Sequence, residues 1–216
     1  MKRNYQKELD ALIEGIGEGE PPRLFLHSCC APCSSYVLEY LSQYFSITDF
    51  YYNPNISPEE EYRRRARELE RLIGEMPAAN PVRFEEAPYE PGEFLRAVRG
   101  LEDIPEGGER CFACYRLRMR EAARRARDGG YDWFATTLSI SPLKNAEKIN
   151  EIGEELAEEY GVKHLPNDFK KKNGYLRSVE LSRVYGLYRQ DYCGCAFSRA
   201  ERERAAAAHS ISHKED

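Results

Sequence analysis

The cysteines constrain this chain most, because all seven fall into three tight groups that lie far apart in the sequence. The groups are Cys29-Cys30-x-x-Cys33, Cys111-x-x-Cys114 and Cys193-x-Cys195. Cysteines that serve only in packing are scattered singly, so this grouping indicates metal ligation or redox chemistry. A fold that uses the groups together has to bring three distant segments to one place.

The length and composition predict one domain that works in a reducing compartment. A chain of 216 residues can bury a full core. It contains neither an apolar run long enough to span a membrane nor a secretory signal, so we expect a cytoplasmic protein with no membrane partner. Structural disulfides are rare there, so the cysteines are interpreted as metal ligands or catalytic thiols. The net charge of −5 does not indicate a general nucleic-acid binder, although several local basic runs are present.

Strand-like and helix-like segments alternate along the chain. Strands are predicted at 23–27, 48–52, 82–84, 133–139 and 162–165. Helices are predicted over 4–17, from about Val37 onwards, from an N-cap at Ser57, over 111–127 and over 145–160. The alternation predicts an α/β fold with a doubly wound, mostly parallel, Rossmann-like sheet. Ligands bind beyond the carboxyl ends of such strands, where the first cysteines lie.

Three regions are expected along the chain. Residues 1–20 form an N-terminal helical extension, and residues 21–198 form a catalytic α/β domain that carries the metal site. Residues 199–216 form a charged, alanine-rich tail that we expect to be frayed or disordered.

The first two cysteine groups together supply four candidate cluster ligands. Cys111-x-x-Cys114 alone fits zinc, an iron–sulfur cluster or a thioredoxin-like pair. Adjacent cysteines rarely both reach one zinc ion, whereas a four-iron cube presents separate corners. By count and grouping, Cys29, Cys30, Cys111 and Cys114 would complete a 4Fe-4S cluster, which we favour over zinc.

The third group has two functional interpretations. Cys193 and Cys195 are either a redox-active thiol pair or ligands of a second metal with Cys33 as the third ligand. A bridge across one glycine would be strained and therefore labile. The loop after the first strand, residues 27–35, contains no glycine, which argues against a phosphate-binding cradle there.

Five sequence landmarks, taken in order, resemble the QueH-type epoxyqueuosine reductases. They are Leu26 to Ser34; Phe50 to Ile56 with Glu61-Tyr62; Arg110 to Arg118; Thr137 to Ser141 with Lys144-Asn145; and Phe169 to Gly174 running on to Tyr188 to Cys195. The resemblance covers about residues 22–198 and is far more specific than a lone C-x-x-C.

The resemblance implies an activity, cofactors and partners. The activity is the two-electron reduction of epoxyqueuosine to queuosine at the wobble position of tRNA, the final step of queuosine synthesis. The implied cofactor is a 4Fe-4S cluster on Cys29, Cys30, Cys111 and Cys114. Cys33, Cys193 and Cys195 would hold one additional iron, or the last two would form a redox pair. An external electron donor, which the sequence does not identify, would be required.

Further site residues are expected near these motifs. Asp191, Tyr192, Tyr188 and His27 are candidate proton donors, each more often a packing or positioning residue than the acid itself. RNA binding is assigned to cationic side chains at the active edge: Lys144, Lys170, Lys171, Lys172 and Arg189.

Two other functions use the same residues differently. A zinc-binding structural or interaction module would bind zinc through these thiols and contain neither iron nor sulfide. A tRNA-thiolating enzyme of the ATP-pyrophosphatase kind would share the fold, but it would need the glycine-rich loop that residues 27–35 lack.

Overall fold

A five-stranded parallel sheet forms the centre of the protein. The computed structural model describes residues 3–17 and 19–212. The strands are β1 (Arg23–Ser28), β2 (Ser46–Tyr51), β3 (Val82–Glu86), β4 (Trp133–Thr136) and β5 (Lys163–His164). Their order is β3-β2-β1-β4-β5, and all neighbours are parallel. This confirms the predicted single-domain α/β fold, while the relation to Rossmann-like folds stays a prediction.

Helices cover both faces of the sheet. They are α1 (Tyr5–Glu14), α2 (Ala31–Leu41), α3 (Glu59–Glu75), α4 (Pro91–Ala97), α5 (Glu109–Asp128), α6 (Ala146–Tyr160), α7 (Gly174–Val184) and α8 (Ala196–Ser212). Successive side chains of a strand point to opposite faces. In β1, Leu24 and Leu26 therefore pack with α1, α2 and α3, whereas Phe25 packs with α5 and α6.

The central position of β1 fixes where the first cysteines lie. Every residue of β1 after Arg23 is buried, as is typical of a parallel strand covered on both faces. The strand ends at Ser28, and α2 begins at Ala31. Cys29 and Cys30 are therefore held at the carboxyl edge of the sheet by the core itself.

Several predicted boundaries were displaced, and three of them bear on the site. The strand predicted over 133–139 ends at Thr136 and continues as a 3₁₀ turn, Thr137–Ile140. The Thr136 side chain accepts a hydrogen bond from the backbone N–H of Leu138, which favours the turn over further strand. The helix after the first cysteines begins at Ala31, so that Cys33 lies within it.

The third misplaced boundary is the start of α3, where Pro58 occupies the N-cap position that was predicted for Ser57. The predicted proline and acidic first turn are present, displaced by one residue. Helices α4 and α7 were not predicted, because neither segment has a strong apolar period in the sequence.

The terminal regions both contain helix. In α1, Leu9 and Ile13 join the main core, and residues 1, 2 and 18 of the predicted extension lie outside the described residues. Helix α8 extends into the predicted charged tail, whose residues 213–216 lie outside the described part as well. No helix in the described part of the chain is both long and apolar enough to cross a membrane.

Candidate metal centre

The first cysteine group places three sulfur atoms close together at the end of β1. The Sγ atoms of Cys29, Cys30 and Cys33 all lie within 4.8 Å of one another, and those of Cys29 and Cys30 are 3.9 Å apart. Cys30 caps α2, and Cys33 lies in its first turn. This cysteine trio has the spacing needed to hold a metal ion.

The second group lies on the first turns of α5. Cys111 is half-buried and Cys114 is buried. The backbone N–H of Gly107 donates to Cys111 Sγ at 3.3 Å. Since cysteines three positions apart on a helix share one face, both sulfurs point to the same side of α5.

The third group lies in an irregular segment between α7 and α8 and is held there by polar contacts. Arg65 Nη1 donates to the carbonyl of Cys193 at 3.0 Å, and the N–H of Ser57 donates to the carbonyl of Gly194 at 3.0 Å. The N–H of Cys193 donates to Ser198 Oγ at 3.2 Å. Residues distant in sequence therefore fix the Cys193 segment.

The three groups meet around two adjoining spaces. The larger, which we call the cysteine cavity, has a volume of about 330 Å³ and is lined by the trio and Cys193. The smaller, which we call the inner gap, has about 20 Å³ and is lined by Cys111, Cys114, Cys193 and Cys195. Cys193 lines both spaces, so every cysteine of the chain borders one of two spaces that share part of their lining.

The trio favours a bound cation. Hydrogen bonds from the thiols of Cys30 and Cys33 lower the pKa of Cys29 well below its usual value. The same pairing and burial raise the pKa of Cys30 to about 12 and that of Cys33 well above the ordinary thiol value. One thiolate is therefore stabilised locally, but a second and third need added positive charge, which a metal ion supplies.

Comparison with known proteins assigns the chain that carries this cysteine-lined region to a family. Residues 24–201 match the family described as Epoxyqueuosine reductase QueH. A protein of that name from Streptococcus pyogenes serotype M1 is 46% identical over 202 residues, covering 92% of this chain and 79% of the relative. The chain belongs to the QueH family.

Two further relatives agree over nearly the same span. One from Staphylococcus aureus strain Mu50, also called Epoxyqueuosine reductase QueH, is 46% identical over 205 residues, which is 92% of this chain and 85% of the relative. One from Thermotoga maritima with the same name is 37% identical over 194 residues, which is 88% of this chain and 96% of the relative. Because the match covers all three cysteine groups, the QueH resemblance inferred from the motifs is confirmed.

In this QueH-family chain, the division of the cysteines into ligand sets stays a prediction. Cys33 was assigned to a second iron with Cys193 and Cys195, apart from Cys29 and Cys30. Its sulfur lies beside those of Cys29 and Cys30, and Cys195 borders only the inner gap. Cys111 and Cys114 border the inner gap too.

The predicted proton donors differ in their surroundings. His27 is fully buried between the Thr136 hydroxyl at 2.8 Å and the Tyr52 carbonyl at 3.1 Å. A carbonyl only accepts, so Nε2 carries the proton and Nδ1 accepts from Thr136. Burial lowers the pKa of His27 to about 3. The ring therefore stays neutral and structural, whereas exposed Asp191 lines the cysteine cavity.

The residues predicted to bind RNA separate into two sets. Lys144 and Arg189 line the cysteine cavity, and Lys144 Nζ lies 3.5 Å from Cys193 Sγ. Away from the cavity, Lys170 pairs with Asp168 at 2.7 Å and Lys172 with Asp10 at 2.6 Å. Lys171 is exposed. Of these five residues, only the first set lines the cysteine cavity.

Sequence reasoning gave no site role to Arg65, Arg118 and Glu106. Arg65 and Arg118 are 3% and 1% exposed, and both line the cysteine cavity. Each lies in the apolar stripe of its helix, Arg65 between Tyr62 and Leu69, and this unusual position was a signal in the sequence. Glu106 lines both spaces and accepts from Ser198 Oγ at 2.8 Å. It lies in a loop with no comparable signal.

Proposed function

We propose that this protein is an epoxyqueuosine reductase that acts on tRNA carrying epoxyqueuosine in the anticodon loop. The observation that carries the proposal is the convergence of three cysteine groups on one region at the carboxyl edge of the sheet, in a chain of the QueH family. This edge is where parallel α/β folds place their ligands.

The reaction sets clear chemical demands. Converting the epoxide to an alkene consumes two electrons and two protons and releases the oxygen as water. No amino-acid side chain of the site supplies this pair of electrons repeatedly, so an external donor and a redox cofactor are needed. A 4Fe-4S cluster would supply electrons one at a time when bound.

The donor set fits such a cluster. Cys29, Cys30, Cys111 and Cys114 are the proposed ligands, and thiolate sulfur is the usual ligand of iron–sulfur clusters. Arg65, Arg118 and Lys144 surround them with positive charge, which compensates thiolates when the thiol protons leave. The role of the chain here is to hold the sulfurs in place.

The remaining thiols have two candidate roles, which one substitution separates. Cys193 and Cys195, with Cys33, hold an additional iron, or the pair stores reducing equivalents. Cys195→Ser tests this by metal analysis. Loss of about one iron per chain with the cluster retained supports the additional iron, whereas unchanged iron supports the thiol pair.

The cysteine cavity is suited to a nucleobase that no longer stacks on its neighbours in the RNA. Its volume of about 330 Å³ is in the range of small-ligand sites. Lys144 and Arg189 lie along its lining, and Leu143 is 61% exposed there. Cations that reach phosphates and apolar side chains that contact bases are typical of RNA loop recognition. We expect tRNA affinity to fall with rising salt, as it does when phosphate contacts contribute.

The test is conversion of the substrate base. Anaerobic protein, reconstituted with iron and sulfide, is mixed with dithionite and with tRNA that contains epoxyqueuosine, and the nucleosides are analysed by mass spectrometry. Queuosine should form with the parent protein and be lost in Cys29→Ser. Ser35→Ala, a buried substitution in helix α2, whose hydroxyl donates to the Pro32 carbonyl and not to a sulfur, serves as the control. Absence of queuosine with fully loaded protein would refute the proposal.

A further inference from the structure

Arg118 is a buried cation with no carboxylate partner in the described part of the chain. Its guanidinium bonds only to neutral acceptors, with Nε donating to the Cys114 carbonyl and Nη1 to Asn53 Oδ1, both at 3.3 Å. Nη2 has no hydrogen-bond partner, and the residue is 1% exposed. Burying an unpaired charge is strongly unfavourable, so this arrangement calls for an anion.

Thiols can supply that anion, whereas Glu106, the carboxylate that lines the same two spaces, accepts from Ser198 Oγ and forms no ion pair with Arg118. Arg118 lines both the cysteine cavity and the inner gap. Cys29 borders the first space, Cys114 the second and Cys193 both. The guanidinium therefore lies among members of all three cysteine groups, and these thiols become anionic when they bind a metal.

Arg110, on the same helix as Arg118, is a buried arginine whose charge is paired with a carboxylate. It is 3% exposed, close to the value for Arg118, but its Nη2 pairs with Glu201 at 2.6 Å. Arg65, the third buried arginine near the cysteines, pairs with Glu61 at 2.7 Å. The missing carboxylate thus distinguishes Arg118 from both neighbours.

We propose that Arg118 is the counter-cation of the thiolate centre, a positioning residue whose charge is fully balanced by the additional thiolates that form when the cysteines bind their metal. The inference rests on the proposed metal centre and extends it. Metal loading and the charge of Arg118 stabilise each other, so removal of that charge weakens metal binding without weakening the metal-free fold.

The test compares Arg118→Met, Arg118→Lys and the matched control Arg110→Met with the parent. Co²⁺ is titrated into anaerobic metal-free protein, and its thiolate absorption band gives the affinity. Arg118→Met should bind Co²⁺ about tenfold or more weakly, the usual effect of removing a partner of the ligands. Arg118→Lys should remain within about threefold of the parent because it keeps the charge.

Thermal unfolding of the same metal-free proteins separates this role from ordinary packing. The Tm of Arg118→Met should equal or exceed that of the parent, because the buried charge that is removed has no carboxylate partner. Arg110→Met should lower Tm, since it removes the ion-pair partner of Glu201.

Three results would overturn the inference. They are a Tm for Arg118→Met lowered as in Arg110→Met, failure of Arg118→Met to fold, and Co²⁺ affinity equal to that of the parent. If the parent itself binds no Co²⁺, the proposed metal centre fails and the inference fails with it.

Discussion

The first and third cysteine groups reach the same site by different physical means. Cys29, Cys30 and Cys33 are positioned by a buried central strand and the helix that follows it. Cys193 and Cys195 lie outside any regular ladder and depend on single contacts from α3 and from α8. Changes near the first group should therefore act through overall stability, whereas changes near the third should act mainly on site geometry.

The largest effect on stability is expected at Asp49 in β2, which is hydrogen-bonded to Ser28, the residue that precedes the first cysteine group. Its carboxyl Oδ2 accepts from Ser28 Oγ at 2.7 Å, and Oδ1 has no partner. Burial raises its pKa from 3.8 to about 8. Between these values the unfolded chain releases a proton that the folded protein keeps, so the stability of the parent falls as pH rises through that window.

Asp49→Asn removes this dependence. Relative to the parent, the variant should gain on the order of 1 kcal/mol in free energy of unfolding per pH unit between about pH 5 and 8. Denaturant unfolding at these two pH values measures the gain. A constant difference between variant and parent would show that the carboxyl is already ionised in the folded protein.

A smaller effect with a different signature is expected at Gly194. Its φ is +112°, and an added Cβ would lie 2.8 Å from Arg65 Nη1 and 3.0 Å from Ile56 Cγ1. Gly194→Ala should lower the free energy of unfolding by about 1–3 kcal/mol and displace Cys193. Queuosine formation should therefore fall further than stability alone explains.

Gly161→Ala is the matched control for Gly194. Its φ is +68°, but a Cβ there has nothing within 4 Å. It should lower stability through the backbone alone and leave the reaction rate of the folded protein unchanged. Equal losses of reaction rate in Gly194→Ala and Gly161→Ala would contradict the claim that changes near the third cysteine group act mainly on site geometry.

The smallest effect is expected at Ser198, which links the third group to α8. Ser198→Ala removes the acceptor of the Cys193 N–H and the donor to Glu106. We expect about 1 kcal/mol lower stability and a reduced rate. Ser35→Ala, in the helix of the first group, also removes a buried hydroxyl donor. Urea unfolding and queuosine assays should show similar stability losses, with a rate loss only for Ser198→Ala.

The same contrast explains what the sequence could predict. The parallel sheet and the cysteines at the end of β1 were foreseeable, because a continuous apolar run followed by a cysteine group depends on local order. The end of β4 was not, because the side chain of Thr136 captures the N–H of Leu138 and starts a turn. A side-chain hydrogen bond that ends a strand in this way produces no periodic pattern of apolar residues from which the end could be predicted.

Contacts between distant residues account for the rest of the site. Ser57 and Arg65 form hydrogen bonds to the Cys193 segment, more than one hundred residues away in the chain. The spacing of residues in the sequence does not indicate which distant residues will pair in this way. Arg65 lies in one of the local basic runs of the sequence, which gave it no site role. Its place between Tyr62 and Leu69 on the apolar side of α3 shows instead that it is buried.

The most direct test of the account is the content of iron, acid-labile sulfide and zinc in anaerobically purified protein, with its absorption spectrum. A 4Fe-4S centre predicts about four or five irons and about four sulfides per chain, with a brown absorption that bleaches on reduction. A fifth iron would support the additional metal on the third group. Zinc without sulfide would contradict the cluster and leave the cysteines as ligands of a structural metal.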